Sequence, residues 1–125
     1  MSNKYSLLIA EDDPVLRDLY LRKFSPDQYD IRTANNGEES VKMIQERAPD
    51  LLLLDINMPI LDGFGVLEKF PKASRTFKVI ILTNFEDQAN RDRGAELAVD
   101  DYFVKKDMTI KSLAEMVDKL KVQAA

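Results

Sequence analysis

An uninterrupted run of four leucines ends in an acid near the middle of the chain, Leu51-Leu52-Leu53-Leu54-Asp55. A run without polar alternation is typical of a strand buried on both faces of a parallel sheet. Open α/β sheets place their chemistry at the carboxyl ends of their strands, which is where Asp55 would lie. Asp55 is therefore a candidate reactive group, provided that the rest of the chain builds a site around it.

The composition favours one globular domain and excludes several kinds of site. The chain has 125 residues, of which 45% are hydrophobic, and its formal net charge is −4. This length and hydrophobic fraction suit a single domain with a buried core. The negative charge argues against nucleic acid as a direct partner. The sequence contains neither cysteine nor histidine, so it offers no thiolate nucleophile, no cysteine or histidine metal ligand and no phosphohistidine.

Hydrophobic periodicity predicts five strands that alternate with five helices. The predicted strands are 6–10, 29–34, 51–55, 78–83 and 101–104. The predicted helices are 14–24, 37–48, 64–70, 86–97 and 110–120. This alternation implies a parallel sheet with helices on both faces, and the expected strand order is 2-1-3-4-5.

Capping residues set several of the predicted helix ends. Asp13 followed by Pro14 predicts the start of the first helix. Asn36 predicts the start of the second, with Glu39 as the far half of a capping box, and Thr109 predicts the start of the last. Three helices carry an apolar stripe at helical spacing. The stripes are Leu16, Leu19, Tyr20 and Phe24 in the first, Val41, Ile44 and Ala48 in the second, and Ile110, Leu113, Ala114, Val117 and Leu120 in the last.

Polar side chains follow four of the predicted strands: Glu11 and Asp12, Asp55, Thr83, and Lys105. Because parallel strands end at one edge of a sheet, we expect these groups to converge in a shallow cleft. Three carboxylates this close repel one another unless a cation lies between them, and oxygen ligands alone favour Mg²⁺. A carboxylate in such a site can form an aspartyl phosphate, and Thr83 and Lys105 would then bind its oxygens.

With these residues in place, the sequence resembles a response-regulator receiver domain of the CheY type. The matching motifs are Glu11-Asp12, Asp55, Met58-Pro59 with Asp62-Gly63, Thr83, Asp100-Asp101-Tyr102 and Lys105. The resemblance covers nearly the whole chain. It implies a flavodoxin-like (βα)5 fold in which residues 1–125 form a single receiver domain, with no output domain in the chain.

The resemblance also implies how the acidic residues act. Asp55 is the expected phosphoacceptor. Asp12 is expected to bind Mg²⁺ directly, and Glu11 mostly through water. The backbone carbonyl of Asn57 is the expected further metal ligand. Asp55 itself completes the expected metal site.

A second group of residues is implied to bind the phosphoryl group and to switch the protein. Thr83 is expected to hydrogen-bond the phosphoryl group and Lys105 to pair with it. Tyr102 is the aromatic residue whose ring is expected to move inward when Thr83 is drawn toward the phosphate. The expected output surface consists of the fourth helix, the fifth strand and the fifth helix. Both groups would promote only this chain's own phosphorylation and autodephosphorylation, so we do not expect an enzyme.

The resemblance implies a phosphorelay signalling protein. The expected phosphodonor is a histidine kinase or a histidine phosphotransfer protein, and the expected target is a downstream protein. We expect a monomer or a phosphorylation-dependent dimer. The apolar run that ends at Glu11 is too short for a signal peptide or a membrane span. We therefore expect a cytoplasmic protein without a membrane or direct nucleic-acid partner.

The sequence departs from the family pattern at two positions, and two further residues bear on the fourth helix and on the site. Lys106 stands where proline usually follows the lysine, so we expect a trans peptide bond there. Ala98 replaces the glycine that usually ends the fourth helix, which removes the easy left-handed cap, and Gly94 lies inside that helix. Phe85, two residues beyond Thr83, is a bulky ring that we expect to slow hydrolysis of the acyl phosphate.

Four alternatives compete with this interpretation. Each residue alone has an ordinary explanation, such as a helix cap, a solvated strand end or core packing. A pseudo-receiver that binds partners without phosphorylation is the main alternative. An aspartate-nucleophile phosphatase is disfavoured, because such enzymes carry Asp-x-Asp where this chain has Asp55-Ile56-Asn57. The absence of a Gly-x-x-x-x-Gly-Lys loop disfavours a P-loop nucleotide hydrolase.

Overall fold

The computed structural model describes residues 4–84 and 88–124. Five strands alternate with five helices along the chain. The strands are β1 (Tyr5–Ala10), β2 (Tyr29–Ala34), β3 (Leu51–Asp55), β4 (Lys78–Thr83) and β5 (Asp101–Val104). The helices are α1 (Pro14–Lys23), α2 (Gly37–Glu46), α3 (Gly63–Glu68), α4 (Gln88–Glu96) and α5 (Ile110–Ala124). Phe85 and the first residues of the predicted fourth helix lie outside the described residues.

The five strands form one parallel sheet in the order β2-β1-β3-β4-β5, which confirms the predicted topology. β3 lies at the centre, between β1 and β4, and all five of its residues are buried. β2 lies at an edge, as its more polar sequence predicts. A leucine run suits the central strand because both of its faces contact apolar side chains.

The side chains of β3 divide between two core clusters, one on each face of the sheet. Leu52 and Leu54 pack in a cluster that includes Ile44 of α2 and Val66 of α3. Leu51 and Leu53 pack on the other face, in a cluster that includes residues of α1 and α5: Tyr20, Leu113, Val117 and Leu120. Helices therefore cover both faces, and the strand that carries Asp55 is held on each side.

The predicted caps form at three helices. The Asp13 side chain accepts the Val15 N–H at 2.9 Å, and the Asn36 side chain accepts the Glu39 N–H at 2.8 Å. The second half of the capping box differs from the prediction, because the Glu39 carboxylate accepts the N–H of Asn35 at 3.3 Å rather than that of Asn36. The Thr109 hydroxyl accepts the Ser112 N–H at 3.1 Å at the start of α5.

Two of the predicted stripe residues are wrong. Ala48 is exposed, because α2 ends at Glu46 and the chain has already left the helix. Leu19 is 46% exposed at the open side of α1. The stripe of α5 is confirmed, with Leu113 and Val117 fully buried. Among residues 4–84 and 88–124, no helix is both long enough and apolar enough to cross a bilayer.

Ala98 follows the end of α4 and adopts the left-handed conformation that glycine usually takes after a helix. Its φ is 57°. Two hydrogen bonds close a Schellman motif there: Val99 N–H donates to the Gly94 carbonyl at 3.1 Å, and Ala98 N–H donates to the Ala95 carbonyl at 3.1 Å. The helix end therefore keeps the left-handed cap although the Cβ of Ala98 disfavours it.

Replacing Ala98 with glycine is expected to raise the free energy of unfolding by about 1 kcal/mol, because glycine adopts positive φ without the steric cost of a Cβ. Ala95→Gly is the matched control in the same helix. Ala95 is exposed, so this change is expected to lower stability by about 1 kcal/mol through lost helix propensity. Urea unfolding of the three proteins measures both effects. An Ala98→Gly variant that is no more stable than the parent would contradict the interpretation.

Candidate functional site

Three carboxylates converge at the carboxyl edge of the sheet. Glu11 directly follows β1 and is fully buried, Asp55 ends β3 and is 3% exposed, and Asp12 is exposed. One carboxylate oxygen from each residue lies within 4.8 Å of the others. The register explains this geometry: Ala10 pairs with Leu54, so the next residue of each strand brings Glu11 beside Asp55.

Lys105 reaches this cluster from the end of β5, which is two strands away from β3. Its Nζ lies 2.7 Å from Glu11 Oε1 and 3.2 Å from Asp55 Oδ2. The Lys105 side chain is only 8% exposed. The peptide bond between Lys105 and Lys106 is trans, as predicted. The lysine therefore contacts both buried acids without the usual proline after it.

The surroundings of Asp55 raise the pKa of its carboxyl group from 3.8 to about 6. Burial is the largest cause, and the neighbouring Glu11 carboxyl is the next. The Lys105 ammonium and the backbone N–H of Asn57, which donates to Asp55 Oδ1 at 3.1 Å, lower the pKa and offset part of the effect. The surroundings of Asp55 therefore destabilise its ionised form, and binding of a cation beside the carboxylate would be favoured.

Replacing Asp55 with asparagine is expected to stabilise the metal-free protein above about pH 6, where the parent carboxylate is ionised. The pKa of Asp55 is higher in the folded than in the unfolded protein. The free energy of unfolding of the parent is therefore highest below about pH 4 and falls as the pH rises through about 6. The shift corresponds to roughly 2–3 kcal/mol.

Urea unfolding in EDTA across this pH range measures the effect of the Asp55 charge. The two curves are expected to meet near the acidic limit and to separate as the pH rises. Asp27→Asn, which removes an exposed carboxylate elsewhere, is the control and is expected to follow the parent curve. A constant difference between Asp55→Asn and the parent at all pH values would contradict the electrostatic explanation.

The donor set at this edge fits a metal ion. Two buried carboxylates and one exposed carboxylate face a single ammonium group, so the ionised cluster carries excess negative charge. All donors are oxygens, which are the preferred ligands of hard divalent cations. Asp12 lies on the open side and leaves room for water ligands. Glu11, Asp12 and Asp55 are therefore able to hold a metal ion between them.

Thr83 and Asn57 lie beside the cluster on neighbouring segments. Thr83 ends β4 and is 1% exposed. Asp55 pairs with Leu82, so Thr83 lies one residue beyond the level of Asp55 on the adjacent strand. Its carbonyl accepts the Lys105 N–H at 2.7 Å. Asn57 follows β3 and is exposed; the direction of its carbonyl toward a metal stays a prediction.

The loop after β3 packs closely against the backbone of the site. Gly63 N–H donates to the Ile56 carbonyl at 2.9 Å. A Cβ on Gly63 would lie 2.6 Å from the Asp55 carbonyl oxygen, so only glycine permits this approach. Ile60 has a φ of 73° and is 74% exposed, an unfavourable conformation for a β-branched residue. The loop is therefore fixed by backbone contacts.

Tyr102 lies at the level of β4 residue Ile81, to which it is paired in the sheet. Its ring is half-buried, and its hydroxyl donates to the backbone carbonyl of Asn90 in α4 at 2.5 Å. The Arg91 guanidinium lies 5.0 Å from the ring centroid. The predicted switch residue is thus in contact with α4, and its strand lies two strands away from β3, which carries Asp55.

Two arginines that were not among the predicted site residues support these elements. Arg17 of α1 donates to the Glu11 backbone carbonyl at 2.9 Å. Arg75, between α3 and β4, donates to the carbonyls of Phe70, Leu97 and Ala98 at 3.0, 2.8 and 3.1 Å. Burial lowers the pKa of the Arg75 guanidinium. No periodicity or motif marks these side chains, because their partners are backbone carbonyls.

The comparisons with known proteins agree with this geometry. A curated relative, the probable transcriptional regulator ycf27 of Guillardia theta, is 38% identical over 105 residues, which are 84% of this chain and 41% of that protein. The chain spans about half or less of the length of the curated relatives it matches first. The receiver domain of the Francisella response regulator 1452 is 28% identical, with a TM-score of 0.88 over 98% of this chain and 100% of that one.

A CheY-like receiver domain protein from Methanospirillum hungatei JF-1 is 25% identical, with a TM-score of 0.87 over 98% of each chain. The profile of the response regulator receiver domain family matches residues 7–118. This match covers all of the sheet except the first two residues of β1, and it includes every strand end that contributes to the acidic cluster. The chain belongs to the response regulator receiver domain family.

Proposed function

We propose that this receiver domain is a Mg²⁺-dependent phosphoacceptor and that Asp55 carries the phosphoryl group. The observation that carries the proposal is the placement of Lys105 Nζ, which contacts both Asp55 and Glu11 inside the carboxylate cluster. A buried ammonium in this position neutralises the charge of a nucleophilic carboxylate. After phosphorylation it neutralises the charge of a phosphoryl oxygen. A purely structural strand-end acid would need none of these partners.

The reaction transfers a phosphoryl group from a phosphohistidine of a separate donor protein. An oxygen of ionised Asp55 attacks the phosphorus, and the P–N bond breaks. Its electron pair returns to the imidazole nitrogen, which takes up a proton, while the phosphoryl group remains on Asp55 as an acyl phosphate. The raised pKa of Asp55, about 6, still leaves it mainly ionised at neutral pH. The sequence contains no histidine, so the donor is a histidine kinase or a histidine phosphotransfer protein.

Three residues of the chain are proposed to hold Mg²⁺, and a fourth to assist through its backbone. Asp12 and Asp55 bind it directly, Glu11 binds through water, and the Asn57 carbonyl completes the set. When bound, Mg²⁺ neutralises the charge that develops on the phosphoryl oxygens. Lys105 would pair with the same oxygens.

The proposed output is a change in the surface formed by α4, β5 and α5. The Thr83 hydroxyl binds the phosphoryl group and shifts toward it, and Tyr102 responds on the adjacent strand. Between β5 and α5 lies a groove of about 380 Å³ that is lined in part by Tyr102, Met108 and Met116. Asp101, Glu115 and Lys119 add charged groups to this lining. The mixed surface supports a protein target or a second copy of the domain as the phosphorylation-dependent partner.

The wider signalling role is proposed from the relatives. The ycf27 relative is named a probable transcriptional regulator, which supports transcription as the process that this receiver controls. The receiver itself would act by protein contacts, in the cytoplasm, and would catalyse only its own phosphorylation and dephosphorylation. The pseudo-receiver alternative gains no support, because the described site retains its three acids and Lys105.

The proposal is tested by intact-mass measurement after incubation with phosphoramidate, in excess Mg²⁺ or in EDTA. We expect the parent to gain one phosphoryl group in Mg²⁺ and essentially none in EDTA. Asp55→Asn is expected to gain none, since the nucleophile is absent. Asp27→Asn, an exposed acid outside the site, is the control and should behave like the parent. Phosphorylation that persists in Asp55→Asn, or that is equal in EDTA, would refute the proposed site.

A further inference from the structure

We propose that Gly94 is the positioning residue for Tyr102: it opens a notch in the backbone of α4 that holds the tyrosine ring against the helix in the resting protein. Gly94 is the buried residue of α4. A Cβ built at this position would lie 1.7 Å from the Tyr102 hydroxyl oxygen, 2.6 Å from Cζ and 3.0 Å from Cε2. No other residue type admits the ring where it now lies.

The composition of α4 makes this glycine informative. The helix reads Gln-Ala-Asn-Arg-Asp-Arg-Gly-Ala-Glu from Gln88 to Glu96 and has almost no apolar face. Glycine inside a helix is unfavourable because it gains no side-chain contacts and loses much backbone freedom. An exposed polar helix gains nothing from glycine at an ordinary position. The gain at position 94 is the close approach of Tyr102.

The ring makes specific contacts with the helix once it occupies the notch. The Tyr102 hydroxyl donates to the Asn90 carbonyl at 2.5 Å. Asn90 is four residues before Gly94, so this carbonyl belongs to the helical turn that Gly94 closes. The Arg91 guanidinium lies over the ring, 5.0 Å from its centroid, at a distance typical of a cation–π contact. The notch therefore combines shape, a hydrogen bond and a charge.

In the resting protein, these contacts hold the Tyr102 ring against α4. Displacement of the ring alone would break these contacts with the helix, so we expect α4 to shift when the ring shifts. This consequence for signalling rests on the proposed function, in which Tyr102 belongs to the switch. The position of the ring in the unphosphorylated protein does not rest on it.

The first test observes the ring directly, in EDTA and without a phosphodonor. Tyrosine is replaced by 3-fluorotyrosine, and the Tyr102 signal among the four tyrosines is assigned from Tyr102→Phe. We expect a shielded fluorine resonance in the parent that moves toward the solvent-exposed position in Gly94→Ala. Ala95→Gly, a change at an exposed site of the same helix, should leave the resonance in place. An unchanged resonance in Gly94→Ala would overturn the proposal.

The second test is a double-mutant cycle on stability. Gly94→Ala is expected to destabilise the parent, because the ring must leave its place. In a Tyr102→Ala background, Gly94→Ala should lower the unfolding equilibrium constant about fivefold, because only the higher helix propensity of alanine then acts. Equal effects in the two backgrounds would overturn the proposal. The fluorine measurement gives an answer even where Tyr102→Ala fails to fold, and neither test depends on whether Asp55 accepts a phosphoryl group.

Discussion

Replacing Lys105 with alanine is expected to lower the free energy of unfolding by about 3 kcal/mol in EDTA at mildly alkaline pH, because it leaves two buried carboxylates without their cation. The Lys105 Nζ lies 2.7 Å from Glu11 and 3.2 Å from Asp55. These distances are those of charge-assisted contacts in a site that excludes most solvent. The loss should shrink as the pH falls through about 6, where Asp55 takes up a proton.

Urea unfolding with and without excess Mg²⁺ measures the contribution of Lys105. Mg²⁺ is expected to stabilise Lys105→Ala more than the parent, because the ion replaces the missing positive charge. Lys106→Ala is the matched control: Lys106 is the exposed neighbour, and its removal is expected to cost less than about 0.5 kcal/mol. If Lys105→Ala and Lys106→Ala were equally stable in EDTA, the electrostatic account of the site would be wrong.

Replacing Arg75 with alanine is expected to lower the free energy of unfolding by about 3 kcal/mol, because hydrogen bonds from a charged donor contribute roughly 1.5–3 kcal/mol each and the three are only partly replaced by water. The guanidinium donates to three carbonyls, two of which end α4. Arg75 therefore stabilises the C-terminal end of α4. The Tyr102 hydroxyl contacts the same helix nearer its N-terminal end, at Asn90.

Hydrogen exchange and urea unfolding distinguish this role of Arg75 from a general packing effect. We expect α4 to lose exchange protection in Arg75→Ala before the central strands do. Arg22→Ala is the control, since Arg22 and its partner Asp18 are both exposed, and it is expected to change stability by less than about 1 kcal/mol. Uniform loss of protection over the whole sheet would contradict a local role at α4.

β1, β3 and β4 were predictable from sequence because each contains an apolar run bounded by turn residues, whereas β2 is more polar. Four of the five have the predicted bounds, and β1 begins one residue earlier, at Tyr5. Helix ends were less predictable. The third helix begins at Gly63 rather than at residue 64 and ends at Glu68. The Asp62 side chain accepts the Gly65 N–H at 2.8 Å and caps this start, although two glycines nearby lower the helix propensity.

The acidic cluster was predictable because parallel strands end at one edge, so the position of each acid along the chain fixes its place in the molecule. The contacts that hold α4 were not predictable in the same way. The Arg75 side chain reaches carbonyls more than twenty residues away along the chain. The ring of Tyr102, in β5, contacts Gly94 in α4. Such contacts depend on how helices pack on the sheet, which no local pattern encodes. Ala98 shows the same limit, since its left-handed φ overrides the preference of alanine.

The location of the phosphoryl group distinguishes Asp55 from the two neighbouring acids. The protein is incubated with phosphoramidate and Mg²⁺, the acyl phosphate is reduced with labelled borohydride, and the digested peptides are sequenced. The account predicts label on Asp55 alone, in the peptide that contains β3, and no label when EDTA replaces Mg²⁺. Label on Glu11 or Asp12, or label on Asp55 that is equally strong in EDTA, would contradict it.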